Sequence, residues 1–350
     1  MKIAANNLKR FCEEILKKNS IPTEEAEVIA DSLVDANMIG VDSHGVTRLS
    51  LYLRRTEEGI VNRNTNLEII RETETTALYD ANNGWGQYAG KIAMQQAIKR
   101  AKKYGSATIG VTNSNHFGTA SYFTKMAAEE NCIGIAMCNT TPIMVPWGSN
   151  EPTLGTNPLS IAIPTNRHPV VLDMATSNVA RGKINLAAKN GEDIPIGWAI
   201  TKEGKPTTDP LEALNGYLLP LGPKGSGLAM MIDIMSGVMT GALFGKDIPR
   251  MYEDKEPQNL GHLFMVINSE SFVDIETFKR RMDDRIEQTV KSSPAEGFEK
   301  VYMPGDIEER NREKHTREGL TLSQAMFDEL KALGNKYDVP MEEYLSPAES

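Results

Sequence analysis

The chain has 350 residues, of which 40 % are hydrophobic and 24 % charged, and these proportions are typical of a globular protein with a full core. Its net charge of −9 argues against non-specific binding to nucleic acid or to membranes, while a local basic pocket for an anionic substrate stays compatible with it. No segment has the roughly 18 apolar residues that span a bilayer, and residues 1–16 lack the apolar core of a signal peptide. The sequence therefore predicts a cytosolic protein.

The three cysteines indicate neither a disulfide framework nor a metal site. Cys12, Cys132 and Cys138 form no CxxC pair, and their odd number favours a reducing compartment. Cys132 and Cys138 flank an apolar run, which predicts that both are small core residues. Because no cluster of Cys and His has the spacing of zinc ligands, we predict no metal ion.

The first 60 residues are predicted to be helical. Thr23, followed by two glutamates, is typical of the residue that caps a helix, and this helix is expected to end at Gly40. A polar turn at 41–45 then opens another helix. In this second helix Arg48 and Tyr52 are four residues apart, so they are expected to share a face.

The rest of the chain alternates between predicted strands and helices. The order of a strand at 107–112, a helix at 118–130 and a strand at 133–138 is typical of a βαβ unit. No G-x-G-x-x-G motif lies between a strand and a helix, so a Rossmann nucleotide site is not expected. The other predicted elements are extended segments at 62–80, strands at 159–163, 170–172 and 263–267, helices at 86–104, 223–242 and 274–291, and a polar helical tail.

His116 is the most informative residue, because it lies between the strand at 107–112 and the helix that follows. A side chain at such a crossover is held by rigid elements and is still open to a ligand. Histidine also titrates near neutral pH, as a proton-transfer catalyst requires. The alternative from the residues alone is a loop histidine that bonds to its own backbone.

Three other turns place polar groups beside rigid elements. In the first, Arg48 has the planar fork that binds a carboxylate, although an exposed helical arginine would have the same sequence context. In the second, the segments 154–158 and 172–177 combine small and polar residues, as in a ligand-binding strand end or an ordinary capped turn. In the third, Lys224 lies between glycines at a helix start, which indicates either a bound anion or a solvated lysine.

Six motifs, taken together and in order, resemble the malate/L-lactate dehydrogenase type 2 family of NAD(P)-dependent 2-hydroxyacid oxidoreductases, over about residues 1–335. The resemblance implies a non-Rossmann α/β fold in which a mixed sheet binds NAD(P) beside a helical domain. It also implies a homodimer with its active site near the subunit interface. The motifs are Asp42–Leu49, Asn115–Gly118, Gly155–Pro158, Asp173–Ser177, Gly222–Gly225 and Met303–Asp306.

The resemblance also implies a division of the chain and a role for each motif. Residues 1–75 would form a helical region that packs with C-terminal helices at 308–350, and residues 76–307 would form the cofactor-binding α/β domain. His116 would be the general base. The implied substrate-binding residues are Ser43, His44, Arg48, Tyr52 and Thr141. The implied cofactor-binding residues are Thr140, Asp173, Met174, Ala175, Thr176, Lys224, Gly305, Asp306 and Ile307.

The cofactor implied by these residues is NAD rather than NADP, because Asp306 would bond to a ribose diol and repel a 2′-phosphate. Within the family, the stretches 140–146 and 245–267 most resemble ureidoglycolate dehydrogenases. This likeness implies oxidation of (S)-ureidoglycolate to oxalurate in allantoin breakdown, a part of purine degradation.

The alternatives within the family are malate, L-lactate, 2,3-diketogulonate or a cyclic imine as the carboxylate substrate, since the same base and clamp would serve each of them. Outside the family's chemistry, the alternatives are a non-catalytic metabolite-binding protein and a metal-dependent enzyme. The joint presence of His116 and Arg48 argues against a binding protein, and the scattered acids and histidines argue against a metal enzyme.

Overall fold

The computed structural model describes residues 1–345, which contain eleven α-helices and eleven strands. Seven of these strands form one large sheet. The helices are α1 Ala5–Lys18, α2 Thr23–Met38, α3 Leu49–Glu57, α4 Gly86–Tyr104, α5 Ser121–Glu129, α6 Arg181–Asn190, α7 Pro210–Asn215, α8 Gly222–Asp233, α9 Ile275–Val290, α10 Asp306–Glu318 and α11 Gln324–Lys336. The strands are β1 Lys2–Ile3, β2 Glu68–Glu72, β3 Thr76–Asp80, β4 Ser106–Ser114, β5 Cys132–Cys138, β6 Leu159–Ile163, β7 Val170–Met174, β8 Ala199–Ile200, β9 Tyr217–Leu218, β10 Leu260–Asn268 and β11 Leu320–Thr321.

The large sheet contains seven strands in the spatial order β2-β3-β4-β10-β5-β6-β7. Strands β3 and β4 are parallel, whereas the other neighbouring pairs are antiparallel. The late strand β10 lies between β4 and β5, so these two strands are parallel but not adjacent. The expected βαβ order along the chain is therefore present, and the insertion of β10 is a tertiary event that the local pattern does not encode.

The central strand β10 is buried on both faces of the sheet, to which its successive side chains point in alternation. On one face Phe264 packs with Phe117 and Phe123 beneath helices α4 and α5. On the other face Leu263 packs with Met137 and with Ile232 of helix α8. The predicted α/β class with a mixed sheet is confirmed.

The N-terminal helices form a separate apolar cluster that includes residues from both ends of the chain. Leu8, Phe11, Ile29 and Leu33 pack there with residues as distant as Leu330. Strands β1 and β11 also pair, which ties residues 2–3 to 320–321. The division into domains at 1–75, 76–307 and 308–350 nevertheless stays a prediction, and its last residues, 346–350, lie outside the described part of the chain.

Asp35 of helix α2 joins the helical cluster to the sheet domain. Its carboxylate accepts a bond of 2.6 Å from Arg312 of helix α10 and a bond of 2.9 Å from Lys125 of helix α5. Asp31, one turn earlier, accepts a bond of 2.8 Å from the Tyr122 hydroxyl of helix α5. The orientation of helix α2, and of the turn that follows it, is therefore set against the helices that cover the sheet.

Several local predictions need correction. Helix α2 begins at Thr23 itself, with Pro22 as the cap residue and no side-chain cap bond, because Pro22 already has the extended backbone of that position. The apolar helix predicted at 223–242 is α-helical only as far as Asp233. Residues 234–238 then form a π-helical turn. The short elements between 181 and 218 had no counterpart in the sequence pattern. In residues 1–345 no helix combines the length and apolar character needed to cross a membrane.

Candidate active site

His116 lies at the crossover from strand β4 to helix α5. The strand ends at Ser114, and the next residue, Asn115, donates its side-chain amide to the Asn83 side chain at 3.0 Å and to the Gly84 carbonyl at 2.9 Å. Gly118 follows with a φ of +85°, a backbone conformation that favours glycine. The crossover is therefore tied to a neighbouring loop on one side of His116 and turned sharply on the other.

The His116 ring is held through its Nδ1 atom. The Tyr52 hydroxyl lies 2.7 Å from Nδ1, and the Gly118 amide donates to the same atom at 3.3 Å. The His44 ring stacks at a centroid distance of 5.5 Å. The pKa of His116 lies well below its ordinary value. Burial is the largest cause, and the charges of His44 and Arg48 lower this pKa further. The imidazole is therefore neutral at physiological pH, and its Nε2 atom remains for a ligand.

The turn before helix α3 presents His44 and Arg48 to the same space. Asn37, at the end of helix α2, accepts a bond of 2.9 Å from the Val46 amide and donates one of 2.6 Å to Asp42. A Cβ on Gly45 would lie 2.2 Å from the Asn37 side chain, so only glycine fits this close approach. The turn is therefore fixed by a buried amide.

The Arg48 guanidinium lines the cleft and makes two contacts through different nitrogens. Its Nε donates to the Ser43 carbonyl at 2.6 Å, and its Nη1 contacts the Tyr252 hydroxyl. The guanidinium carbon also lies 5.5 Å from the centre of the Tyr252 ring. Burial lowers the pKa of Arg48 from its ordinary value, but an arginine starts so high that the group stays charged.

One cleft of about 2090 Å³ brings most of the predicted site residues together. It lies between the turn that carries Arg48, the His116 crossover and the ends of strands β5 and β7. Its volume exceeds that of a typical drug-sized pocket, as a site for a substrate together with a dinucleotide requires. The predicted residues that line it are Ser43, His44, Arg48, His116, Thr140, Thr141, Asp173, Met174, Ala175, Gly305 and Ile307.

Four predicted residues do not line this cleft among residues 1–345. Tyr52 lies behind His116, where burial raises the pKa of its hydroxyl to about 12. Thr176 is buried and donates to the Thr156 carbonyl at 2.9 Å. Asp306 bonds to the Met303 amide at 2.8 Å, and Lys224 is exposed on the first turn of helix α8. The predicted roles of all fifteen site residues, including that of His116 as the general base, stay predictions.

The cleft wall fits a phosphate-bearing cofactor beside His116. The Thr119 hydroxyl is buried in this wall and has no hydrogen-bond partner in the described chain, whereas Ser121 donates its amide to the Asp173 carboxylate at 2.8 Å and places its hydroxyl beside the same group. A Cβ on Gly118 would meet no atom within 4 Å, so there is open space directly beside the crossover. The unpaired Thr119 hydroxyl near this space is a candidate donor to a phosphate oxygen, because a buried donor without a partner is costly.

A metal ion has no evident ligands in the described chain. No three His, Cys, Asp or Glu side chains of residues 1–345 approach closely enough to hold one. The three cysteines are buried free thiols, as the sequence predicts. The chemistry of the cleft therefore depends on an imidazole, a guanidinium and hydroxyl groups.

Two residues that position or line this site were missed by the sequence analysis. Tyr252 lines the cleft against Arg48, and Asn37 holds the turn before it. Tyr252 belongs to a stretch used only for its family likeness, and Asn37 falls on a predicted helix face with no distinguishing motif. Tyr252 contacts Arg48 across 204 residues of sequence, and Asn37 contacts Val46 across 9 residues. Neither contact follows from the periodicity of a single helix or strand.

Comparison with known proteins assigns the chain to a family. The malate/L-lactate dehydrogenase family matches residues 3–331. L-sulfolactate dehydrogenase of Methanocaldococcus jannaschii is 40 % identical over 99 % of this chain and 100 % of its own length. The solved structure of that protein superposes with a TM-score of 0.93 over 99 % of this chain and 100 % of that chain.

Two further relatives carry other substrate names. Malate dehydrogenase of Pyrococcus abyssi is 38 % identical over 97 % of this chain and 96 % of its own length. Ureidoglycolate dehydrogenase (NAD(+)) of Escherichia coli is 37 % identical over 94 % of this chain and 95 % of its own length. The chain therefore belongs to the malate/L-lactate dehydrogenase family. It is a dehydrogenase that acts on a CH–OH group, and the resemblance drawn from the six motifs is confirmed.

His262 is a further buried histidine, on strand β10 behind His116. Its ring packs edge-on against Phe117 at a centroid distance of 4.7 Å. Burial lowers the pKa of His262 to about 3, against a small opposing effect of the Asn115 backbone. Between pH 6.5 and 3 the unfolded chain therefore binds a proton at this residue that the folded chain excludes. Folding stability is lost as the pH falls through this window, by about 1.4 kcal/mol per pH unit.

We expect the substitution His262→Leu to weaken this acid sensitivity. The midpoint of urea denaturation, measured by circular dichroism from pH 7 to pH 4, should fall less steeply in the variant than in the wild type. Phe264→Leu is the matched control, because it disturbs the same aromatic cluster without removing a titrating group. An equal slope in His262→Leu and the wild type would contradict the assignment of acid sensitivity to His262.

Proposed function

We propose that the protein oxidises a 2-hydroxy carboxylate, with NAD as hydride acceptor, His116 as general base and Arg48 as carboxylate clamp. The observation that carries this proposal is the convergence of a neutral His116 and a charged Arg48 on one cleft. The two residues come from different elements, and a binding module would need only the clamp. This proposal extends the family's reaction class to named residues of this chain.

His116 would take the proton of the substrate hydroxyl at its Nε2 atom. This role requires the tautomer in which Nδ1–H donates to the Tyr52 hydroxyl, so that Nε2 keeps its lone pair, and the longer contact of 3.3 Å between the Gly118 amide and Nδ1 would then give way. His44, stacked 5.5 Å from His116, would line the substrate pocket together with Ser43. NAD, when bound, supplies the acceptor for the hydride that leaves the same carbon.

Residues around the far part of the cleft would hold the cofactor. Thr119 offers an unpaired hydroxyl, and the predicted set at 140, 173–175, 305 and 307 lines the adjoining walls. The Escherichia coli relative is named for NAD(+), which supports NAD over NADP for this chain.

A homodimer is part of this proposal. Helix α8 and the turn after it expose a row of large apolar side chains, which a partner subunit would bury. Lys224 lies on the first turn of helix α8, and the Thr176 carbonyl accepts a bond of 2.9 Å from the Leu221 amide just before that helix. The predicted cofactor roles of both residues would therefore be tested in the dimer. The exposed residues of the row are Met230, Met231, Ile234, Val238 and Met239.

L-sulfolactate and malate are the first candidate substrates, because the relatives with these names share 40 % and 38 % identity with this chain. (S)-Ureidoglycolate is the second candidate, and a feature of the cleft favours it. Gln258 donates to the Thr141 hydroxyl at 3.2 Å, both residues line the cleft, and the Gln258 Oε1 atom has no partner in the described chain. An unpaired acceptor suits the N–H group of a ureido substrate better than a second anion.

Absorbance of the reduced nicotinamide tests the proposal directly. NAD⁺ and NADP⁺ are each assayed with L-sulfolactate, malate, L-lactate and (S)-ureidoglycolate. Turnover of any of these carboxylates with NAD⁺ supports the proposed reaction, and the highest kcat/KM selects the substrate. Absence of turnover with all four would contradict it and favour binding without catalysis.

Replacing the base should remove chemistry and spare cofactor binding. We expect His116→Ala to lower kcat by roughly 10²–10⁴ with an unchanged Kd for NADH, measured by nicotinamide fluorescence. Because the pKa of His116 is lowered, oxidation by the wild type should persist below pH 6.5, and the variant should lack the acid limb of the kcat/KM profile. Turnover like that of the wild type would remove His116 from the base role.

Replacing the clamp should weaken substrate binding. Arg48→Lys keeps the charge and loses the planar pair of donors, so KM for the carboxylate substrate should rise roughly tenfold or more. The Kd for NADH is the internal control and should stay constant. An unchanged KM would place the substrate carboxylate elsewhere in the cleft.

A further inference from the structure

Residues 249–258, here called the strap, form part of the cleft wall beside Arg48. A buried arginine holds the strap in place. Arg55 of helix α3 is only 2 % exposed, and the strap supplies backbone carbonyls as its partners. Its guanidinium donates to the Met251 carbonyl at 2.9 Å, to the Asp254 carbonyl at 3.3 Å and to the Glu256 carbonyl at 3.1 Å. Three bonds from one rigid group fix the strap relative to the helix that carries Tyr52.

The strap is also braced internally and at its ends. The Arg250 amide donates to the Asp254 carboxylate at 2.6 Å, and the Asp254 amide donates to the Arg250 carbonyl at 3.0 Å. The Pro249 carbonyl accepts a bond from Thr141 at 3.2 Å. The strap therefore has a defined shape in the cleft wall, although its outer side chains are exposed.

Tyr252 is the strap residue that faces Arg48. Its side chain is 62 % exposed, so burial of its ring does not explain its position. Its hydroxyl oxygen accepts a bond from Arg48 Nη1, which leaves the phenolic proton for another acceptor. Because Nε of Arg48 is already bonded to the Ser43 carbonyl, a carboxylate would bind at the Nη edge, beside this hydroxyl.

We propose that the Tyr252 hydroxyl is a second donor to the substrate carboxylate, and that Arg55 is the positioning residue that brings it there. This inference rests on the proposed function and extends it. The carboxylate would receive bonds from Arg48 and from Tyr252, so the strap would select for a planar anion at this end of the substrate. Arg55 would act only through the strap, since its guanidinium bonds to backbone carbonyls and does not line the cleft.

The substitution Tyr252→Phe tests the hydroxyl alone, because phenylalanine keeps the ring over Arg48. We expect KM for the carboxylate substrate to rise roughly tenfold, with kcat changed less than twofold. Tyr104→Phe is the matched control, an exposed tyrosine that also lies beside a cation, Lys103, away from the cleft. An unchanged KM in Tyr252→Phe would overturn the inference.

Arg55→Lys tests the positioning role of Arg55. The control is Arg54→Lys, a change at the exposed residue next to it. We expect Arg55→Lys to raise KM and to hasten trypsin cleavage after Arg250 and Lys255, the basic residues of the strap. When Arg55→Lys is combined with Tyr252→Phe, KM should rise no further than in the more affected single variant. Both changes would remove the same bond, from the Tyr252 hydroxyl to the carboxylate. Additive effects, or unchanged cleavage, would remove Arg55 from this role.

A binding measurement separates this inference from the proposed reaction. Oxalate is a planar carboxylate without a reactive hydroxyl, and its affinity for the wild type and for Tyr252→Phe is measured by calorimetry with NADH present. Roughly tenfold weaker binding by the variant supports the inference, and equal affinities overturn it. Absence of hydroxyacid turnover by the wild type would contradict the proposed function alone, because the oxalate comparison needs no catalysis.

Discussion

The contact between Tyr52 and His116 is the constraint on which the rest of the site depends. It joins helix α3 of the helical cluster to the crossover after strand β4 of the large sheet, across 2.7 Å. Arg48 is the N-cap residue of this helix, four residues before Tyr52, so a shift of the helix would displace the proposed clamp and the contact with His116 together. The ion pairs of Asp35 support this alignment from a distance, since they join helix α2 to helices α5 and α10.

Burial gives the site its electrostatic character. It lowers the pKa of His44 to about 4 and that of His116 well below its ordinary value, and both effects are increased by the nearby charge of Arg48. The wall that faces the substrate therefore combines two neutral imidazoles with one permanent cation. Such a wall attracts a single carboxylate while it leaves a ring nitrogen free to accept a proton.

In the proposed reaction, the candidate substrates differ only in the group that would lie beyond the clamp. A hydroxyacid presents the same hydroxyl and carboxylate whatever its side group, so base and clamp can be shared by the sulfolactate, malate and ureidoglycolate relatives. The side group would meet the end of strand β5 and the strap, where Thr141 and Gln258 lie 3.2 Å apart. In the proposed reaction, substrate choice would depend on these residues of the cleft wall, whose pairing is set by tertiary contacts.

The sequence by itself determined the fold class, the family and eleven of the residues that line the cleft. Helix α4 and the strand before His116 follow from apolar periodicity and from glycine at the turns, because these depend on neighbours in the chain. The placement of β10 between β4 and β5 was decided only in the tertiary structure, because a strand pattern does not specify its partners. The same is true of Tyr252 on Arg48 and of Arg55 on the strap carbonyls. These contacts join residues about 200 positions apart, and they exist only once the helical cluster has packed against the sheet.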